Sequence, residues 1–247
     1  MTTNSSTKIA IVTGGSRGIG AAIAKRLAAD GMTVVVNFAN RRDAADEVVN
    51  HITQSGGQAI AIKADVSQSE HVTKLFDETI TAFGGVDVLI NNAGVLQMTP
   101  IAEFDDASID RLIDINLKGS LYAMREAANR LRDGGRIINL TSSVIGMKLP
   151  NYGVYAATKA AVEAATAVLA KELRGRNITV NALAPGPTAT DLFLEGKTPE
   201  FINHLANLSP LERLGTPEDI ANAIAFLAGK DGAWVNGQVL RANGGVV

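Results

Sequence analysis

The 247-residue chain contains no cysteine. That absence excludes disulfides and thiolate metal sites. Histidine is almost as scarce. His51, His71 and His204 lie far apart in polar stretches and read as solvent-facing helix positions, so no metal site is expected. The net charge is only −2, which leaves no basic footprint for nucleic acid. No apolar run reaches the ~18 residues that cross a bilayer. The start of the chain, Met1 to Thr7, is polar and lacks the apolar stretch of a signal peptide. A soluble, cytoplasmic protein with no membrane and no nucleic-acid partner is the expectation.

Short apolar runs alternate with helical patterns along the whole chain. Lys8 to Thr13 reads as a strand ended by Gly14-Gly15. Arg17 to Asp30 follows with Ile19, Ile23 and Leu27 at helical spacing, closed by Gly31. Further strands are expected at Thr33 to Phe38, Gln58 to Lys63, Val86 to Asn91, Gly135 to Leu140, Ile178 to Ala184 and Gly237 to Arg241. Helices are expected between them. One starts at Ser67 with a capping box to Glu70, and a long one runs from about Ser108 to Leu131. Another carries Tyr155 and reaches about Leu173, and a last one opens with Pro217. Such alternation predicts an α/β fold: a doubly wound, seven-stranded parallel sheet with helices on both faces. No linker divides the chain, so residues 8–247 form one domain behind a flexible tail at 1–7. Pro185 to Leu214 reads as a long irregular stretch, the kind that serves as a lid.

Two features carry chemistry. Tyr155 and Lys159 stand four apart on one helical face, and a nearby cation favours phenolate, which lowers the tyrosine pKa. Near the N-terminus, Thr13-Gly14-Gly15-Ser16-Arg17-Gly18-Ile19-Gly20 joins the first strand to the first helix. Such a loop lets a pyrophosphate approach the backbone at a helix N-terminus. Gly14, Ser16, Arg17, Gly18, Ile19 and Gly20 are its candidate contacts. A carboxylate at the end of the second strand would repel a 2′-phosphate. Here that end reads Asn37-Phe38-Ala39-Asn40-Arg41-Arg42, without an acid before Asp43. Neutral Asn37, with Ala39, Asn40, Arg41 and the loop's Arg17, favours NADP(H) over NAD(H).

These motifs, together with Asp65-Val66, Asn91-Asn92-Ala93-Gly94, Asn116, Ser142 and Pro185-Gly186 in that order, resemble the short-chain dehydrogenase/reductase family over residues 8 to 245. Among its members the chain is similar to 3-oxoacyl-[acyl-carrier-protein] reductases and NADPH-dependent carbonyl reductases. The resemblance implies a Rossmann fold and roles for single residues. Tyr155 would exchange a proton with the carbonyl oxygen, and Ser142 would polarise that oxygen. Lys159 would hold the nicotinamide ribose, and Asn116 would keep a proton-relay water. Asp65 and Val66 would flank the adenine, while Asn92, Ala93 and Gly94 would pass the adenosine ribose. Pro185, Gly186, Thr188 and Thr190 would face the nicotinamide and its phosphate. Ser142 is preferred to its neighbour Ser143 because it lies thirteen residues before Tyr155. Tyr152, four residues before Ala156, lacks a cation partner and is read as pocket lining.

The expected function is hydride transfer between NADP(H) and a ketone or secondary alcohol, with a 3-oxoacyl-carrier-protein reductase as the alternative and a non-catalytic nucleotide sensor as the remote one. Leu96, Met98, Val144, Met147, Leu149, Tyr152 and Leu192 to Leu194 are candidate pocket residues and suit a medium-sized hydrophobic ketone. Arg130, Arg132, Arg174 and Arg176 are candidate docking points for acyl carrier protein. The alanine-rich helix after Tyr155 suits close helix pairing across two-fold axes, as in the family, so a homotetramer is expected.

Overall fold

Each strand is a short run of mostly aliphatic residues, and the central ones are buried on both faces, as parallel sheets require. The computed structural model describes residues 7–247, so the tail expected at 1–7 lies, Thr7 apart, outside the described residues. Strands β1 (Ile9–Val12), β2 (Thr33–Phe38), β3 (Gln58–Lys63), β4 (Val88–Asn91), β5 (Arg136–Leu140), β6 (Thr179–Pro185) and β7 (Val239–Ala242) form one sheet. Every pairing is parallel, in the order β3-β2-β1-β4-β5-β6-β7. Around it lie α1 (Gly18–Ala29), α2 (Arg42–Gln54), α3 (Ser69–Phe83), α4 (Asp106–Leu112), α5 (Gly119–Arg130), α6 (Val144–Met147), α7 (Gly153–Glu172), α8 (Asp191–Leu194), α9 (Pro199–Asn207) and α10 (Pro217–Ala228).

Successive strand residues point to opposite faces. Ala10, Val12, Val34 and Val36 pack with Ile23 and Leu27 of α1, Ile52 of α2 and Ile224 of α10. Ile11, Val35, Leu89 and Ile137 pack the other way, with Phe76 of α3 and Met124 and Ala127 of α5. The sheet is thus the doubly wound, seven-stranded Rossmann-type sheet that the alternation predicts. Strand order reverses between β1 and β4, and ligands of such sheets bind outside the carboxyl ends at that switch. Among the described residues, no helix is long and apolar enough to cross a membrane.

Three local expectations change. Ser67 does not cap α3: its amide and its hydroxyl both donate to Asp65 Oδ1 (3.0 and 2.8 Å), and the helix starts two residues on without a side-chain cap. A carboxylate accepting two bonds in a tight turn wins over a hydroxyl cap. The long helix at 108–131 is interrupted, because Ile113–Lys118 is π-helical between α4 and α5. Such widened turns favour functional sites, and this one contains Asn116. Finally, residues 185–214 are not irregular throughout. Thr190 and Thr198 accept from Phe193 N (3.2 Å) and Phe201 N (3.3 Å) and cap α8 and α9.

Candidate active site

The carboxyl ends of β1 to β6 enclose a cleft of about 700 Å³. Its floor is the β1–α1 loop, with Gly14, Ser16, Arg17, Gly18, Ile19 and Gly20. Asn37, Ala39, Asn40 and Arg41 border it after β2, and Asp65 and Val66 after β3. Asn92, Ala93 and Gly94 follow β4, and Pro185, Gly186, Thr188 and Thr190 follow β6. Ser142, Tyr155 and Lys159 close the other end, beside Tyr152.

The loop suits an anionic pyrophosphate. Gly14 has φ +61°, and a Cβ there would stand 3.0 Å from Ala93 Cα. A Cβ on Gly20 would stand 2.6 Å from Asn92 Nδ2, so a side chain at either position would push the loop off β4. Helix α1 has no side-chain N-cap and no acid in its first turn. Its free N–H groups and positive dipole end therefore face the cleft.

The loop is held by side chains of its neighbours. Thr13 Oγ1 accepts from the amides of Asn92 and Ala93, both at 3.0 Å. Asn92 Nδ2 donates back to the carbonyls of Thr13 (2.9 Å) and Gly14 (3.1 Å). On the other flank, Asn37 is 1% exposed, and its Oδ1 accepts from Gly14 N at 3.2 Å. Its Nδ2 faces the carbonyls of Ala64 (3.0 Å), Ile62 (3.3 Å) and Phe38 (3.5 Å). Asn37 therefore braces the loop, with its amide taken up by the backbone. A carboxylate in its place would point an oxygen at three carbonyls. Arg41 is left as the exposed cation at this corner, 3.5 Å from Asp43.

At the catalytic end, Lys159 is 4% exposed, and its Nζ donates to Leu140 O at 2.8 Å. Burial lowers its pKa to about 8. Nζ stands 5.8 Å from the centre of the Tyr155 ring. The lysine was expected to lower the phenol pKa, and here burial dominates instead. It pushes Tyr155 up to about 12; a hydrogen bond with Ser142 draws the value down, and Tyr152 adds a smaller upward push. Tyr155 is therefore a protonated acid at neutral pH.

Asn116 is fully buried and stands behind the cleft wall. Its Oδ1 accepts from Val95 N (2.8 Å), and its Nδ2 donates to Val95 O (2.9 Å) and Thr158 Oγ1 (3.4 Å). The bonds tie the π-helical turn both to the loop after β4 and to α7. A Cβ on Gly94 would lie 3.2 Å from Asn116 Oδ1 and 3.5 Å from Lys159 Nζ, so Gly94 occupies the gap between them.

Ser142 and Ser143 part company. Ser142 lines the cleft, its Oγ accepting from Val144 N at 3.3 Å. Ser143 is 2% exposed and turns inward, where its Oγ donates to Ala184 O (3.0 Å) and accepts from Asn243 Nδ2 (3.0 Å). Asn243 Oδ1 takes the amide of Gly245 (2.9 Å), and the next carbonyl, of Gly244, accepts from Ser209 Oγ (2.9 Å). One chain of bonds thus links the Ser142 loop, the end of β6 and the segment after α9. Sequence reasoning missed this clamp. Ser143 was visible only as a rival to Ser142, and Asn243 gains its partner across one hundred positions of chain. Arg111 was also missed. It reaches the cleft rim two residues before the π-helical segment, a position that reads as a solvated helix face.

Of the four candidate docking arginines, three are engaged within the chain. Arg130 pairs with Asp77 and Glu126, Arg132 with Asp87, and Arg176 with Asp133 and the carbonyls of Ala128 and Leu131.

A family model described as Enoyl-(Acyl carrier protein) reductase matches residues 14–247. A short-chain type dehydrogenase/reductase of Picea abies is 46% identical over 250 residues, covering 97% of this chain and 92% of its own. An NADPH-dependent aldehyde reductase-like protein, chloroplastic, of Arabidopsis thaliana is 44% identical and covers 97% of this chain and 94% of its own. The crystal structure of a short chain dehydrogenase from Burkholderia cenocepacia, in complex with NADP, superposes with a TM-score of 0.92 at 37% identity. It covers 98% of this chain and 99% of its own.

The clamp yields a test. Asn243→Ala should lower kcat roughly 10- to 100-fold by letting the Ser142 loop drift, with NADPH affinity kept. In a Ser142→Ala background the same change should cost little more. Equal losses in both backgrounds would show that Asn243 does not act through Ser142.

Proposed function

The chain belongs to the short-chain dehydrogenase/reductase family, and we propose that it is a cytoplasmic ketone reductase using NADPH. The carrying observation is one cleft that joins a protonated, partly buried Tyr155 and Ser142 to an uncapped helix N-terminus. The glycine loop and α1 would hold the pyrophosphate, and Lys159 the nicotinamide ribose. Asp65 would meet the adenine, and Arg41 and Arg17 the 2′-phosphate. When bound, the nicotinamide supplies the hydride that the carbonyl carbon accepts. Ser142 hydrogen-bonds the carbonyl oxygen and fixes its place. Tyr155 gives that oxygen its proton, so that the alcohol forms with no free alkoxide. Lys159, held by Leu140 O, keeps its ammonium within reach of the phenolate left behind.

Apolar walls from Leu96, Val144, Met147, Leu149, Leu192 and Phe193 support a medium-sized hydrophobic ketone. The description of the matching family model favours a carrier-protein thioester as second reading. The internal pairing of Arg130, Arg132 and Arg176 removes most of the basic surface on which such a carrier would dock.

A homotetramer belongs to the same proposal. Between α5 and α7 runs an open apolar groove of about 340 Å³ that includes Leu121 and Val168. Val239 and Leu240 of the edge strand β7, and the 98% exposed Trp234 before it, are apolar side chains open to solvent elsewhere on the surface. Two self-complementary faces on one subunit generate a closed dimer of dimers.

Three measurements test these readings. With NADPH and a panel of ketones, Tyr155→Phe should cut turnover roughly 10²- to 10⁴-fold while NADPH binds as before; retained turnover would remove Tyr155 as the acid. Arg41→Ala should weaken NADPH roughly tenfold and leave NADH nearly unchanged, because only the former places a phosphate beside it. Equal effects on the two cofactors would exclude that contact. Light scattering at micromolar concentration should give a tetramer, and a monomer there would end the assembly proposal.

A further inference from the structure

Tyr152 is a polar group of the cleft that has no part in the proposed hydride transfer. It is 7% exposed and belongs to the cleft wall. Its ring meets that of Tyr155 edge-on, with centroids 6.4 Å apart and planes at 67°. Among the described residues no protein group hydrogen-bonds its hydroxyl, and burial alone acts on the phenol, raising its pKa. The hydroxyl is therefore a neutral donor and acceptor at any working pH. The cleft lining also includes the apolar Val144, Met147 and Leu149. A hydroxyl that opens onto the cleft without a protein partner takes its hydrogen bond from whatever fills the cavity. Ser142 and Tyr155 already address the reacting oxygen.

Resting on the ketone-reductase reading, we propose that the Tyr152 hydroxyl binds a second oxygen of the substrate. The preferred substrates then carry another carbonyl or hydroxyl group close to the carbonyl that Tyr155 protonates, as diketones and hydroxyketones do. A hydrophobic wall can only sort ketones by size, and weakly, whereas one placed hydroxyl discriminates by what is left unpaired when its partner is missing.

The test compares a monoketone with the 1,2- and 1,3-diketones of the same carbon skeleton, in the wild-type protein and in Tyr152→Phe. The variant keeps the ring and its contact with Tyr155 and removes only the hydroxyl. The expected result is a loss of at least tenfold in kcat/KM for one or both diketones, while the monoketone changes less than threefold and KM for NADPH holds. An equal loss on every ketone would overturn the proposal by assigning the hydroxyl to Tyr155 itself. A raised KM for NADPH in place of the diketone loss would overturn it by assigning the hydroxyl to the cofactor. No change anywhere would overturn it as well. In all three cases turnover of the monoketone by the wild type leaves the ketone-reductase reading standing. Absence of turnover with any ketone in the wild type would remove that reading and this one together.

Discussion

Loops at the carboxyl ends of parallel strands carry backbone N–H and C=O groups that the sheet ladder leaves unpaired, and burying them is costly unless something pairs them. In this protein that work falls to amide side chains, which can donate and accept at once. Asn37 holds the glycine loop to β2 and β3. Asn92 holds it to β4, Asn116 ties the loop after β4 to the π-helical turn, and Asn243 fastens the end of β7 to the loop after β5. Deeper in the sheet, Asn91 and Asn139 bond each other at 2.9 Å across β4 and β5. Satisfied networks of this kind rigidify what they join, and here they join the loops of the cleft. The sheet supplies the platform, and these amides set the geometry of the cleft upon it.

The same burial that makes the amides effective sets the acid–base character of the site. Lys159 is buried and Tyr155 partly so, and removal from water favours the neutral form of each. The phenol keeps its proton and the ammonium is easier to lose. Starting from ordinary values of 10.0 and 10.5, the opposite shifts set the two groups apart, the phenol holding its proton more tightly and the ammonium releasing its own more readily. An exposed tyrosine beside an exposed lysine would have neither shift.

Much of this was legible along the chain. All the strands were found, because aliphatic runs bounded by glycine and polar residues have few other readings. The glycine loop and Tyr155–Lys159 were found because their geometry is local, set by a turn or by one stretch of helix. What failed was competition between local signals. Ser67 looked like a cap until Asp65 claimed its hydroxyl. Regular helical spacing hid the π-helical turn, which answers to the bonds between Asn116 and Val95 some twenty residues away. The raised pKa of Tyr155 was illegible for a like reason: the motif shows the cation, but the desolvation comes from every element that closes over the ring. The clamp from Ser143 to Asn243 joins residues one hundred positions apart, beyond the reach of any local pattern.

Asn37 shows how structure and cofactor choice become one constraint. From the sequence it was a missing acid, a neutral residue where a carboxylate would repel a 2′-phosphate. In the fold, three carbonyl oxygens converge on its Nδ2 at 3.0 to 3.5 Å, and a loop amide approaches its Oδ1. A carboxylate could accept the loop amide but would face the carbonyls with like charge. The neutrality of this corner is thus imposed by the brace that holds the glycine loop, independently of any ligand. The cations at the rim, Arg17 and Arg41, stand beside a strand end that carries no carboxylate, with Asp43 paired to Arg41.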